Sequence, residues 1–191
     1  MASRFGTLSK YLNTSWQLIS SDKASAADIT AATAFVEAPL DMLGAATAGS
    51  LYQYTFTGFD ESDLPQIPPH FTVANCHQSS VPIAEFVLGS MLEWTIGLQQ
   101  LDTALRRCSW RSQPPGNNCS KVHTGHGQIS NLTLGILGYG HIGEAIATRA
   151  AAFGTRIIAT TLNPPVTPPT PLTWIGDDTS NPRLFRESDF L

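Results

Sequence analysis

An apolar run of strand length, Leu132, Thr133, Leu134, Gly135, Ile136 and Leu137, leads directly into Gly138, Tyr139, Gly140, His141, Ile142 and Gly143. Few local patterns restrict a chain more tightly. The three loop glycines have separable tasks: Gly138 permits a tight turn, Gly140 leaves the backbone bare for a pyrophosphate, and Gly143 lets the next helix pack on the strand. The alanine-rich residues Glu144 to Phe153 then predict a helix, Gly154 its end, and Ile157 to Thr160 a second strand. Strand, turn, helix, stop and strand follow in the order of a dinucleotide-binding βαβ unit, all within residues 132–161. An anion is expected on the backbone amides of Tyr139 to Gly143, at the positive end of the helix. The side chains of Tyr139 and His141 are not needed for this, and His141 reads as a solvated loop histidine.

Folds of this kind usually place an acid about twenty residues beyond the first glycine, where it bonds the adenosine ribose. Here no acid occurs from Ala145 through Gly176. Thr160, Thr161, Leu162 and Asn163 stand at the expected strand end, neutral groups that would not repel a 2′-phosphate. No arginine stands just beyond that strand to hold one strongly. The pattern admits either NAD or NADP, with Thr160 and Thr161 as the groups facing the adenosine end.

Upstream, helical and extended signals alternate. Leu8, Tyr11 and Leu12 give one apolar helical face, Trp16 to Ile19 and Ala26 to Phe35 read as strands, and Pro39 to Ala46 as a helix. Leu51 to Thr57, rich in aromatics and threonine, precedes a turn at Gly58 to Leu64, a proline-rich hinge at Pro65 to Pro69 and a strand at Phe71 to Asn75. Strands separated by helices predict a parallel, doubly wound sheet. From Ser80 a long helix is expected, with Pro82 in its first turn and a buried stripe of Ile83, Val87, Met91, Trp94, Leu98, Leu101 and Leu105. Gly89 and Gly97 weaken it locally.

Arg111 to Asn131 is polar and reads as a surface connection. Cys119, His123 and His126 imitate metal-ligand spacing within it, but paired cysteines and a fourth ligand are missing, so no metal is expected. Pro164 to Pro171 reads as extended and exposed. Ser180 and Pro182 open a short helix ending near Glu187, and Phe190 and Leu191 begin a strand. His70, His77, His123 and His126 lie in loops; His77 follows a strand end but has no carboxylate partner in local sequence. Asp60, Glu61 and Asp63 form an acidic turn that reads as solvated.

Composition sets outer bounds. The chain has 191 residues, 42% of them hydrophobic and 14% charged, which suits buried cores and excludes fibrous or disordered classes. A net charge of −4 offers no basic field for nucleic acid. No apolar stretch is long enough for a membrane span, and the first residues lack a secretory core. Three irregularly spaced cysteines argue for a reducing compartment, and so for the cytoplasm. An N-terminal stretch with Arg4, Lys10 and serines but no acid before Asp22 is the one feature shared with organellar transit peptides.

These residues together resemble the D-isomer-specific 2-hydroxyacid dehydrogenases, the group that includes glyoxylate/hydroxypyruvate reductases and phosphoglycerate dehydrogenases. Thr57, Gly58, Phe59 and Asp60 look like that family's substrate-domain loop, whose backbone amides receive the substrate carboxylate. Ile83, Ala84 and Glu85 look like the signature opening its inter-domain helix, Trp110 like the tryptophan just past that helix, and Leu132 to Gly143 like its nucleotide loop.

The resemblance implies an incomplete flavodoxin-like substrate domain, residues 1–79, lacking its first strand. An inter-domain helix and the first half of a Rossmann dinucleotide-binding domain follow, residues 80–191. It implies hydride transfer between NAD or NADP and a small 2-hydroxy or 2-oxo acid, with Thr57 and Gly58 on the substrate, and a homodimer formed through the nucleotide domain and the long helix. The family's catalytic arginine, glutamate and histidine lie downstream of the segment that Asp177 to Leu191 resembles, and no residue of this sequence matches them. The expectation is therefore a piece of an oxidoreductase, shortened at both ends. A non-catalytic nucleotide-sensing module of the corepressor type, or a truncated product without function, are the alternatives.

Overall fold

Each of two units, Met1–His77 and Gln78–Leu191, carries its own parallel three-stranded sheet. The computed structural model describes residues 15–107 and 125–191. The apolar face at Leu8 to Leu12, and Cys108, Trp110, Cys119 and His123, lie outside the described residues.

In the first unit the strands β1 (Ala34–Val36), β2 (Leu51–Gln53) and β3 (Thr72–Ala74) lie in sequence order, with Ala34 opposite Leu51 and Leu51 opposite Thr72. The predicted strand over Ala26 to Phe35 is corrected: α1 (Ala26–Ala31) occupies most of it. Ser25 and Asp28 cap one another, the Ser25 hydroxyl accepting from Asp28 N and the Asp28 carboxylate from Ser25 N. That reciprocal cap satisfies two otherwise orphaned donors and starts a helix. Trp16 to Ile19 form no strand. Short 3₁₀ turns at Leu40–Ala45 and Leu64–Gln66 stand where the sequence predicted a helix and the hinge. Phe35, Leu43, Ala46, Tyr52, Tyr54, Ile67 and Phe71 form the core.

The second unit opens with α2 (Ser80–Ile96) and α3 (Leu98–Arg106). The expected single helix is broken at Gly97, whose φ of 71° ends one helix and starts the next at a bend of 54°. Only a residue without a Cβ holds that backbone at little cost. The buried stripe also differs. Ala84, Leu88 and Met91 face inward with Ser80, while Ile83, Trp94, Leu98 and Leu105 are exposed. The small side chains decide this: Ala84 lets α2 pack against Ala147 and Ala150 of α4 (His141–Ala151), a contact that larger residues would hold apart.

Three parallel strands, β4 (Thr133–Leu137), β5 (Arg156–Thr160) and β6 (Trp174–Gly176), lie in that order, with Thr133 opposite Arg156 and Thr160 opposite Gly176. The sequence pattern did not reveal β6. Residues 164–171 have no regular structure, and Val166 stands wholly in solvent. After α5 (Asn181–Glu187), Phe190 bridges Leu134 in parallel, and its carbonyl accepts from Gly135 N at 2.8 Å. A Cβ at Gly135 would collide with Ser188, so this strand is glycine-bearing for packing reasons alone. Among the described residues no single helix is long and apolar enough to cross a membrane.

Candidate functional site

The carboxyl end of β4 is where the sheet meets the glycine loop. Thr133 to Ile136 are buried, and Gly138 has φ 93°, a conformation that a Cβ would strain. Gly138 N and Tyr139 N both donate to the Thr160 carbonyl, at 3.0 and 2.9 Å, and Gly140 N donates to Gly138 O at 3.1 Å. The helix starts at His141, three residues earlier than Glu144, and Glu144 N makes its bond to Gly140 O at 2.8 Å.

Of the amides expected to form the cradle, that of Tyr139 is bonded to the Thr160 carbonyl and that of Gly140 to Gly138, and His141 is the first helical residue, not a loop residue. The amides of Ile142 and Gly143 belong to the first turn, where no carbonyl of the helix can reach them. They stand at the positive end of an eleven-residue helix dipole. The Tyr139 ring packs on the core, and burial, then the Glu144 carboxylate, push its phenol above the usual range.

Two glycines of the loop differ in what requires them. A Cβ on Gly143 would stand 3.0 Å from Gly138 O and 3.0 Å from Ile136 Cγ2, so the fold itself demands glycine there. A Cβ on Gly140 would meet nothing within 4 Å, and its backbone (φ −117°, ψ −158°) suits any residue. Nothing inside the fold needs glycine at 140. A dinucleotide fits this arrangement: a bare backbone with open space beside it, next to first-turn amides.

The two threonines of the second strand part company. Thr160 is 1% exposed; its hydroxyl donates to Asn181 Oδ1 at 2.8 Å while its carbonyl holds the loop amides. It builds the cradle from within and has no surface to offer a coenzyme. Thr161 is half-buried, its amide donating to Gly176 O, and Leu162 beyond it is 77% exposed. The nearest acid by register is Asp177, one residue past β6. Its carboxylate is held below the usual range by Thr179, with Ser180 adding to the effect. At the other end of β5, Arg156 binds Glu187 at 2.6 Å; Arg183 binds the same carboxylate at 2.7 Å and lies 4.3 Å over the Trp174 ring. Arg183 and Glu187 have i,i+4 spacing within α5, whereas Arg156 of β5 and Trp174 of β6 join them only when the sheet and that helix pack.

In the first unit, Thr57 Oγ1 donates to Cys76 O at 2.9 Å and the Thr57 carbonyl accepts from Asn75 Nδ2 at 2.8 Å. Gly58 next to it is open on its Cβ side. The flanks are pinned: Thr55 N donates to Glu37 Oε1 at 2.6 Å, the Phe59 ring stacks on Tyr54 at 5.9 Å, and Asp60 accepts from Ser62 N at 2.8 Å. Ser62 lowers the Asp60 carboxyl below its usual range. Under this loop, burial pushes the Tyr52 phenol up to about 12, while its hydroxyl donates to Ala38 O. Glu61 is exposed like Asp60, and Asp63 is half-buried. Among the described residues no cluster of three metal-ligating side chains occurs.

Residues 88–191 match the family model described as D-isomer specific 2-hydroxyacid dehydrogenase, NAD binding domain. A hydroxypyruvate reductase of Thermotoga maritima is 32% identical over 138 residues, which cover 70% of this chain and 40% of that protein. A solved D-isomer specific 2-hydroxyacid dehydrogenase family protein of Aeromonas salmonicida superposes with a TM-score of 0.62 at 19% identity, covering 86% of this chain and 50% of that one. An NADPH-dependent glyoxylate/hydroxypyruvate reductase of Sinorhizobium meliloti, solved with NADP and sulfate, gives 0.61 at 18% identity, with 83% and 47% covered. At these identities the structural likenesses speak to the fold. The chain spans 40% of the length of the reductase it matches in sequence.

Proposed function

The chain belongs to the D-isomer-specific 2-hydroxyacid dehydrogenase family, and we propose that its second unit holds NAD or NADP for hydride exchange with a small 2-hydroxy or 2-oxo acid. One observation carries this reading: Gly140 is glycine although no neighbour in the fold requires it, and its open flank adjoins the first-turn amides of α4. Those amides, from Ile142 and Gly143, would receive the pyrophosphate as an anion at a helix N-terminus. Gly138 and Thr160 hold the loop in register, and the exposed Leu137 and Leu162 offer apolar surface at the carboxyl ends of the strands, where ligands of open α/β sheets bind. When bound, the nicotinamide ring donates or accepts the hydride. In the first unit, the Thr57–Gly58 backbone would receive the substrate carboxylate, its shape fixed by Cys76, Asn75 and Glu37.

Neither β5 nor the residues just beyond it carry an acid, so a 2′-phosphate meets no carboxylate on that strand; this supports acceptance of NADP as well as NAD. Phe86 and Trp94 are 75% and 81% exposed on α2, an apolar face that supports association of two copies through this helix. A reducing compartment suits the three cysteines.

The test is calorimetric titration of the chain with NADH and NADPH. Saturable binding of at least one is expected, and binding of neither refutes the coenzyme assignment. Hydroxypyruvate and glyoxylate, named for the relatives above, are the first oxo acids to titrate into the binary complex.

A further inference from the structure

The connection between β5 and β6 has a property that coenzyme binding does not use. Leu162 to Pro168 make no hydrogen bond among the described residues, so neither sheet nor turn holds this stretch. Val166 is wholly exposed and Thr167 beside it is exposed as well. The local sequence is Pro165-Val166-Thr167-Pro168-Pro169. Proline at 168 disfavours helical backbone at Thr167, and prolines on both sides narrow the conformations that the segment must give up on binding. A hydroxyl on an exposed, unbonded, proline-flanked segment is accessible to a protein kinase cleft, which can draw it out without breaking a hydrogen bond.

We infer that Thr167 is a phosphorylation site for a proline-directed serine/threonine kinase, and that its phosphate weakens coenzyme binding at the neighbouring strand end. In the transfer, the Thr167 Oγ1–H bond breaks and its proton passes to the kinase's base. The Oγ1–P bond forms as the γ-phosphoryl group leaves a nucleoside triphosphate, releasing the diphosphate.

Thr170, which also precedes a proline, is the internal control. It sits in a turn closed by Leu172 N to Pro169 O at 2.9 Å, and Leu172 is buried at 8% exposure. Extending Thr170 into a cleft would pull Leu172 out of the core, whereas extending Thr167 breaks nothing.

The consequence of the modification is electrostatic. A phosphothreonine adds about −1.5 to −2 charge at neutral pH. No lysine or arginine stands between Arg156 and Arg183 to pair with it, and the nearest charged residues along the chain after it are Asp177 and Asp178. The segment leaves β5 at Thr161, beside the proposed adenosine end, so a charge added to it makes the potential at that strand end more negative. A 2′-phosphate feels it most. This effect rests on the dinucleotide reading; the modification does not.

The experiment treats the 191-residue chain with a proline-directed kinase and MgATP, folded and heat-denatured, and maps the phosphate by mass spectrometry. Phosphate on Thr167 but not Thr170 in the folded chain, on both in the denatured chain, and none on 167 in Thr167→Ala, is the expected result. NADPH affinity of the phosphorylated chain should then fall by about threefold or more at low salt, and NADH affinity by less. No incorporation at Thr167, or modification of Thr170 in its place, overturns the site. Full phosphorylation of Thr167 with unchanged NADPH affinity overturns the switch. A chain that binds neither nucleotide before treatment sinks the coenzyme reading instead, and the phosphate map still decides Thr167.

Discussion

Replacing Gly140 with alanine should separate ligand binding from folding, and replacing Gly143 should not. At 140 the backbone (φ −117°, ψ −158°) is open to any residue and an added methyl meets nothing within 4 Å. Alanine in place of glycine at a helix N-cap costs roughly 0.5–1 kcal/mol, and its stiffer unfolded chain offsets about 0.4–1 kcal/mol, so stability should stay within about 1 kcal/mol. The methyl would nevertheless fill the space from which a pyrophosphate reaches Ile142 N and Gly143 N. Hydrogen bonds to charged groups contribute about 1.5–3 kcal/mol each, so losing both weakens binding by at least about 3 kcal/mol, somewhat over a hundredfold in Kd. At 143 the new methyl would press on Gly138 O and Ile136 Cγ2, both at 3.0 Å. The carbonyl cannot move aside freely, because Gly138 N and Tyr139 N tie the loop to Thr160 O. Overpacking of this kind costs about 1–3 kcal/mol, on the order of 10 °C in melting temperature for a unit of this size. Thermal melts by circular dichroism and NADH titrations followed by tryptophan fluorescence measure both quantities. Gly140→Ala with parental affinity and an unchanged melt would refute the assignment of that open flank to a ligand.

Thr161→Asp should shift the NADH-to-NADPH affinity ratio toward NADH by about tenfold or more, since a carboxylate there bonds ribose hydroxyls and repels a 2′-phosphate; an unchanged ratio removes Thr161 from the adenosine end. Thr160→Val takes the donor from Asn181 Oδ1 and should cost about 1–2 kcal/mol in urea denaturation, with little change in nucleotide affinity if the backbone carbonyl alone holds the loop. Glu187 is held below the usual carboxylate range by Arg156 and then Arg183, so its folded pKa lies under its unfolded one. The stabilisation is complete above the unfolded value and is lost as pH falls through the folded one. Glu187→Gln should therefore flatten the decline in stability as pH falls below the ordinary glutamate range, and an identical pH slope in both proteins would contradict the pairing.

The sequence and the fold agree best where one residue type admits one explanation. Gly138, Gly143 and Gly154 were legible as turn, contact and helix end because a positive φ or an absent Cβ has few other uses. Features that depend on partners distant in sequence were not legible. Amphipathic spacing points to the large residues Ile83 and Trp94 as the stripe on α2, but the facing surface is the alanine edge of α4, which selects Ala84 and Leu88 instead. Strand β6 is three residues long and follows a proline-rich stretch, so no period marks it; its pairing with β5 creates it. At Ala26 the signal was present, since Ser25 and Asp28 have capping-box spacing, but the β-branched residues beyond outweighed it in a reading by propensity.

The cradle itself shows why a glycine pattern is only part of a binding site. Its two tightest loop amides are held by one carbonyl, that of Thr160, about twenty residues downstream, and the Thr160 side chain is in turn fixed by Asn181, a further turn of the sheet away. The loop between β4 and α4 therefore takes its shape from β5 and α5 as much as from its own glycines. A peptide ending before Arg156 would keep every residue of the motif and lose the acceptor that orients Gly138 and Tyr139. The shape that leaves the Gly140 flank open is thus a property of the three-stranded sheet, and a substitution that displaces the Thr160 carbonyl itself should be felt first as weaker anion binding at α4.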